Sequence, residues 1–286
     1  MKIIFMSGGA GNVFYQSNYM ISKYGKNWAY SDLMYRPFLK KLLGHTQNTP
    51  PINSVFFRLG DLLGSVCFLI LILDLAIFKL LQFTLLTHLD STLYKAQPKL
   101  FCLIHYGYYQ ENFCTKKPYK FLPYTKVFEC DPLMSRSLRA QVHETYVAIH
   151  VRGGDYIVAS EDSSKRIATN MPLLDEAWYV RAVQASLVSV DCRNFFFVTD
   201  DVKSCNKIAA KVSESFANIS VKVNSIGIWE DLSLLSQAEA IIIYNSTFAA
   251  MALSKSKDNI LCITTPYMER KHIANIGAIK LKVFKI

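Results

Sequence analysis

A chain of 286 residues, 51% apolar and 19% charged, is long enough for about two domains and too apolar to be disordered. Seven cysteines and six histidines without CxxC or metal-ligand spacing argue against a disulfide framework and a structural zinc, and predict the reduced, buried thiols of a cytosolic protein. The net charge of +10 lies almost wholly in the first half, with 16 Lys/Arg against 7 Asp/Glu over residues 1–140 and 16 against 15 over residues 141–286.

That balance suits anionic lipid headgroups or an anionic glycan, with a solvated basic surface as the plain alternative. No zinc finger, RNP-like aromatic pattern or continuous basic helix is present, so nucleic acid is not an expected partner.

In chain order, residues 2–6 read as a strand, too short for the apolar region of a signal peptide. Gly8-Gly9-Ala10-Gly11-Asn12 reads as a glycine-rich turn, with a helix from Val13. Residues 30–60 alternate short apolar and polar pieces around Thr49-Pro50-Pro51. Leu62 to Leu86 is overwhelmingly apolar, and residues 62–88 are helical by length. Asp74 and Lys79 interrupt that run, and each costs about 2.5–3.5 kcal/mol at a bilayer centre. A buried or interfacial helix pair is therefore the expectation, ahead of a membrane span. Residues 100–130 are aromatic and Lys-rich with irregular spacing, which predicts loops packed on a core. A polar helix over Ser135 to Glu144 would link the two halves.

The second half alternates regularly. Strands are expected at 146–150, 194–199, 221–223, 240–244, 260–264 and 278–284. Helices are expected at about 174–188, 202–214 and 230–237, and from Phe248 onward. Such βαβα order predicts a Rossmann-like parallel sheet.

Three of these strands end in polar groups. The first runs into His150-Val151-Arg152-Gly153-Gly154-Asp155-Tyr156, the second into Thr199-Asp200-Asp201, and the third into Asn245-Ser246-Thr247. In a parallel sheet these ends share one edge, where ligands of open α/β sheets bind. Arg152 offers a planar fork suited to a diphosphate, and glycines let backbone approach a ligand. The bland counterpart is a tight turn in which Arg152 pairs with Asp155. Asn245, Ser246 and Thr247 are N-cap types, though the same helix start also suits a phosphate. Asp200-Asp201 fits either a metal-diphosphate site or helix capping with a bond to a ribose or sugar hydroxyl; with no third ligand in view the metal-free role is expected.

Four blocks in order carry a resemblance. Ser7 to Asn12 is similar to a GGLGN turn, His150 to Tyr156 to an H-x-R-R-G-D-Y block, and Phe195 to Asp201 to an FFVFSDD strand end. Glu230-Asp231-Leu232 to Gln237, followed by Asn245 to Phe248, is similar to an EDL…NSTF tract. In these blocks the chain resembles glycosyltransferase family 11, the galactoside α-1,2-fucosyltransferases. Three positions depart from the pattern: Val13 replaces a glutamine, Gly153 the second arginine, and Ala249-Ala250 two tryptophans. A lost charge-assisted contact is worth about 1.5–3 kcal/mol.

The resemblance implies a GT-B-like α/β protein whose two Rossmann-type lobes face across a cleft. Residues 1–140 would form the acceptor-side lobe with Gly9, Gly11 and Asn12 in its turn, and residues 141–286 the nucleotide-sugar lobe. Donor ligands would be Arg152, Tyr156, Asp200, Asp201, Glu230, Asp231, Asn245, Ser246, Thr247 and Phe248. His150, Arg152 and Asp155 would form the catalytic group, with Asp155 the general base. The implied reaction is inverting transfer from GDP-fucose to a galactose 2-hydroxyl, without metal or other cofactor. The acceptor would be a galactose-containing glycan of the O-antigen or capsule kind, lipid-linked glycans included. Such an enzyme would be cytoplasmic and would touch the inner face of an anionic membrane peripherally. Competing expectations are another nucleotide sugar, an inactive glycan-binding relative, and a membrane-embedded assembly protein.

Overall fold

The computed structural model describes residues 2–5, 10–25, 27–31, 61–81, 87–89, 104–106, 144–153, 174–225, 227–244, 246–257, 259–269, 273 and 280–284. The chain forms two compact units, Met1–Glu129 and Cys130–Ile286. The expected division at residues 140/141, the linking helix over residues 135–143 and the loop before residue 174 lie outside the described residues.

In the first unit, β1 (Lys2–Phe5), β2 (Trp28–Ser31), β3 (Thr87–Leu89) and β4 (Ile104–Tyr106) form a parallel sheet in the order β2-β1-β4-β3. Helix α1 (Ala10–Tyr24) connects β1 to β2, and buries Phe14, Tyr15, Tyr19 and Met20. It ends at Gly25, whose φ of +61° is left-handed and whose N–H reaches the Ile21 carbonyl at 2.9 Å. The helix begins three residues earlier than the sequence suggests. Gly11 and Asn12 therefore stand in its first turn and not in a loop.

Helix α2 (Asp61–Leu81) corrects a second expectation. Residues 62–88 are not a helix throughout, since the helix stops at Leu81 and β3 follows. Gly64 inside it costs about 1 kcal/mol, which the leucine-rich run outweighs. The helix is amphipathic in an unusual sense. Cys67, Leu71 and Asp74 are buried, whereas Val66, Leu69, Ile72 and Leu73 are 47%, 64%, 43% and 64% exposed. Among the described residues no helix is long and apolar enough to cross a membrane. Strand β4 falls within residues 100–130, which the sequence suggests are loops, and β2 overlaps only the start of the alternating stretch 30–60. Pieces of three or four residues are too short to show a period, and their pairing with β1 defines them.

The second unit is the alternating α/β structure the sequence predicts. Its strands are β5 (Val147–Val151), β6 (Asn194–Thr199), β7 (Ser220–Asn224), β8 (Ala240–Ile243), β9 (Leu261–Thr264) and β10 (Lys280–Val283). All pair in parallel, in the order β10-β9-β8-β5-β6-β7. The connecting helices are α3 (Glu176–Ser189), α4 (Val202–Ser215), α5 (Ile228–Gln237) and α6 (Thr247–Leu253), with a short turn α7 (Pro266–Met268) after β9. Strands β5 and β8 are buried on both faces, which is why they read as continuous apolar runs. Helix α3 starts at an N-cap, Asp175, which accepts the Trp178 N–H at 2.8 Å. Its buried face, with Trp178, Tyr179, Ala182 and Val183, has helical spacing. Both units are α/β with parallel strands, the class expected of Rossmann-type lobes. Four described cysteines, Cys67, Cys192, Cys205 and Cys262, are free and buried. Burial pushes the Cys205 thiol up to about 12, so it is not a thiolate near neutral pH.

The strand order turns at β5. From β5 the chain builds outward through β6 and β7, then returns to place β8 on the other side of β5. The carboxyl ends of β5 and β8 therefore flank the position where an open α/β sheet leaves a crevice.

Candidate active site

The polar strand ends gather at this edge as the parallel order requires. Residues His150 and Val151 of β5 are in register with Val198 and Thr199 of β6. The next pair along, Arg152 and Asp200, therefore leave the sheet side by side. Arg152 Nη1 lies 3.0 Å from Asp200 Oδ2, and the side chains are 21% and 40% exposed. The other oxygen of Asp200 accepts the Gly153 N–H at 2.8 Å. One carboxylate thus ties both the guanidinium and the backbone of the β5 loop. The Arg152–Asp155 turn that the sequence leaves open as an alternative falls on a residue outside the described ones.

Asp201 turns the other way. Its Oδ1 accepts the Lys203 N–H at 3.1 Å and the Ser204 N–H at 3.3 Å, capping α4. Bonding from Ser204 holds its carboxyl below the usual range, despite a small opposing effect of burial. Its own N–H donates to Thr199 Oγ1 at 2.9 Å. The two adjacent carboxylates therefore serve different partners. Among the described residues no group of three or more His, Cys, Asp or Glu side chains is placed to hold a metal ion.

His150 is 3% exposed and packs on Phe248 of α6, with ring centroids 5.7 Å apart. Burial pushes its pKa down to about 4, and the nearby Arg152 charge adds to this while Asp200 opposes it. The imidazole is therefore neutral at physiological pH, and among the described residues its Nδ1 has no hydrogen-bond partner. The ring joins β5 to α6 across the point where the strand order turns.

The remaining predicted residues divide clearly. Ser246 is buried and caps α6, its Oγ accepting the Ala249 N–H at 3.4 Å. Thr247 is the first residue of α6. Asp231 is buried on α5 and accepts from Asn224 Nδ2 at 3.4 Å. Glu230 folds over Gly227, where a Cβ would stand 2.6 Å from its Oε2. Asp155, Tyr156, Asn245 and Gly9 lie outside the described residues. Gly11 and Asn12 belong to the other unit. The site that is drawn together is thus Arg152, Gly153 and Asp200, with His150 and Phe248 beneath. Sequence reading missed the use of the Gly153 N–H, and the signal for it was its place opposite Asp200 once β5 and β6 are neighbours.

The model of Glycosyl transferase family 11 matches residues 87–282, well over half of the chain. The chain belongs to glycosyl transferase family 11. No curated protein matches it. Among solved structures, this family 11 chain is similar to a glycosyl transferase family 9 protein from Veillonella parvula, at 8% identity over 99% of this chain and 86% of that one, with a TM-score of 0.48. It is similar to the fucosyltransferase NodZ from Bradyrhizobium at 10% identity, over 89% and 93% of the two chains, with a TM-score of 0.38. It is also similar to POFUT1 in complex with GDP at 13% identity, over 54% of this chain and 47% of that one, so it spans about half of that protein, with a TM-score of 0.32.

Proposed function

We propose that the chain transfers L-fucose from GDP-β-L-fucose to the 2-hydroxyl of a galactose in a glycan, with inversion, to give an α-1,2 linkage. Family membership supports glycosyl transfer, and the fucosyl donor and galactose acceptor follow from the motif resemblance. The observation that carries the reading is Arg152, fixed at the end of β5 and still partly open to solvent. As the bond from sugar to diphosphate breaks, negative charge grows on the leaving diphosphate. A preorganised guanidinium stabilises that charge without reorganising. The acceptor hydroxyl attacks from the opposite face and must lose its proton to a base, for which we assign Asp155. The donor and galactose are tested together by incubating the protein with GDP-fucose, UDP-galactose or UDP-N-acetylglucosamine and a galactoside such as lactose. A fucosylated product with an α-1,2 linkage by NMR is expected. Turnover of another donor only, or binding without turnover, overturns the assignment.

We further propose that the protein works on lipid-linked glycans while resting peripherally on the cytoplasmic face of an anionic membrane. Unit Met1–Glu129 carries 14 Lys/Arg against 6 Asp/Glu, and the apolar face of α2 formed by Val66, Leu69, Ile72 and Leu73 is exposed in it. Each basic residue near an anionic surface contributes about 1 kcal/mol, screened within a Debye length. Sedimentation with phosphatidylglycerol vesicles should carry the protein down at low salt and release it at high salt. Equal sedimentation with neutral vesicles, or none with either, counts against this placement.

A further inference from the structure

We infer that Asp200 is a positioning residue for Arg152, made possible by the absence of a side chain at position 153. This rests on the reading of Arg152 as the diphosphate ligand. Both oxygens of Asp200 are engaged by the neighbouring strand end, one by Arg152 Nη1 at 3.0 Å and one by the Gly153 N–H at 2.8 Å. The Gly153 N–H steadies the carboxylate, and its other oxygen restrains where Nη1 of the guanidinium can lie. An unheld arginine would lose much of its rotamer freedom when the donor binds, and here part of that freedom is already given up to the bond with Asp200.

Gly153 is the condition for this geometry. A Cβ built on it would stand 2.3 Å from Asp201 Cβ, closer than real Cβ atoms approach, and a tight 3.1 Å from Asp201 Oδ2. Any side chain at 153, arginine included, must displace either the end of β5 or Asp201, which caps α4. The strand ends of β5 and β6 come together at this point only because there is nothing between them. In this chain the second arginine of the family block is therefore replaced by a tether on the first. Asp200 accordingly acts on the donor through Arg152 and not as a ligand of its ribose or sugar.

The test is a double-mutant cycle on nucleotide affinity. The probe is whichever of GDP, UDP, CDP and TDP raises the melting temperature of the wild-type protein. Dissociation constants are measured by calorimetry for wild type, Arg152→Ala, Asp200→Ala and the double variant. Asp200→Ala should weaken nucleotide binding about tenfold, within the coupling range of directly bonded groups. The same change in the Arg152→Ala background should do nothing further. Asp200→Asn, which keeps one acceptor, should recover part of the loss. Fully additive losses would mean that Asp200 binds the nucleotide itself and would overturn the inference. Tighter binding by Asp200→Ala would do so too, since the carboxylate would then merely repel the phosphates. If Arg152→Ala itself binds normally, or no nucleotide binds the wild type, the functional reading fails and takes this inference with it. If Arg152→Ala is impaired and Asp200→Ala is not, only the positioning role is lost.

Discussion

The two sides of β5 put the same kinds of residue to opposite uses. Toward β6, Arg152 and Asp200 stay partly exposed and bond to each other across the strand ends. Toward β8 and β9, Ser246 and Thr264 turn inward. Ser246 caps α6, and buried Thr264 donates through Oγ1 to the Ile243 carbonyl at 2.9 Å. Polar strand ends are thus not by themselves a site. What marks one is a charged group that remains reachable after its neighbours have fixed it.

The largest expected effect tests the open side. Arg152→Ala should lower kcat/KM about 100-fold or more, the usual loss for one preorganised donor, with the far-UV circular dichroism unchanged. Arg152→Lys should recover little, because a point charge does not replace the fork. Near-normal turnover would erase the distinction between the two sides.

Beneath both sides lies His150, and its titration gives the next effect. Its folded pKa of about 4 lies below the ordinary 6.5, so the unfolded chain binds its proton first as pH falls. Stability from this group is full above the unfolded pKa and is lost as pH drops toward 4, by about 2 kcal/mol at pH 5. Urea melts at pH 7 and pH 5 should show a smaller fall for His150→Gln than for wild type. Parallel falls would mean that the ring is not sealed in solution.

On the closed side, Ser246→Ala should cost about 1 kcal/mol of stability, as an N-cap does, lowering the melting temperature by a few degrees. A loss of nucleotide affinity as deep as that of Arg152→Ala would make the closed side part of the donor site and break the comparison. The smallest effect should come from chelator. With Asp200 on Arg152 and Gly153 and Asp201 on α4, both carboxylates have protein partners, so EDTA should leave initial rates unchanged. Rates that vanish and return with magnesium or manganese would show that these bonds yield to a cation.

Much of the second unit was legible because its inner strands are largely buried. Phe195-Phe196-Phe197-Val198 can hardly be anything but an inner strand, and β6 lies at the expected residues 194–199. The first unit hid its strands, since three or four residues carry no period, and a leucine-rich run does not announce where its helix gives way to β3. At the site, the residue types at the strand ends pointed to anion chemistry. Their mutual bonds were not legible, because Asp200 meets Arg152 only if β6 is the neighbour of β5, which a linear pattern does not state. Gly153 read as a missing arginine, and its close approach to Asp201 appears only in three dimensions.

Among the described residues the six-stranded sheet ends at β7 on one side and β10 on the other, and both carry lysine. On one border Lys222 is exposed, with its Nζ 5.5 Å from the Phe196 ring. On the other, Lys280 is exposed and Lys282 reaches Ser189 Oγ at 3.2 Å, beside Leu281 and Val283, which are 38% and 36% exposed. A strand from another molecule that tried to add itself to either border would crowd an ammonium group and strip its water. A chain this apolar therefore carries its own guard against stacking into fibres at the very strands with free hydrogen-bonding groups. Replacing Lys280 and Lys282 with valine would remove that guard, and the sheet would then grow by borrowing its neighbours.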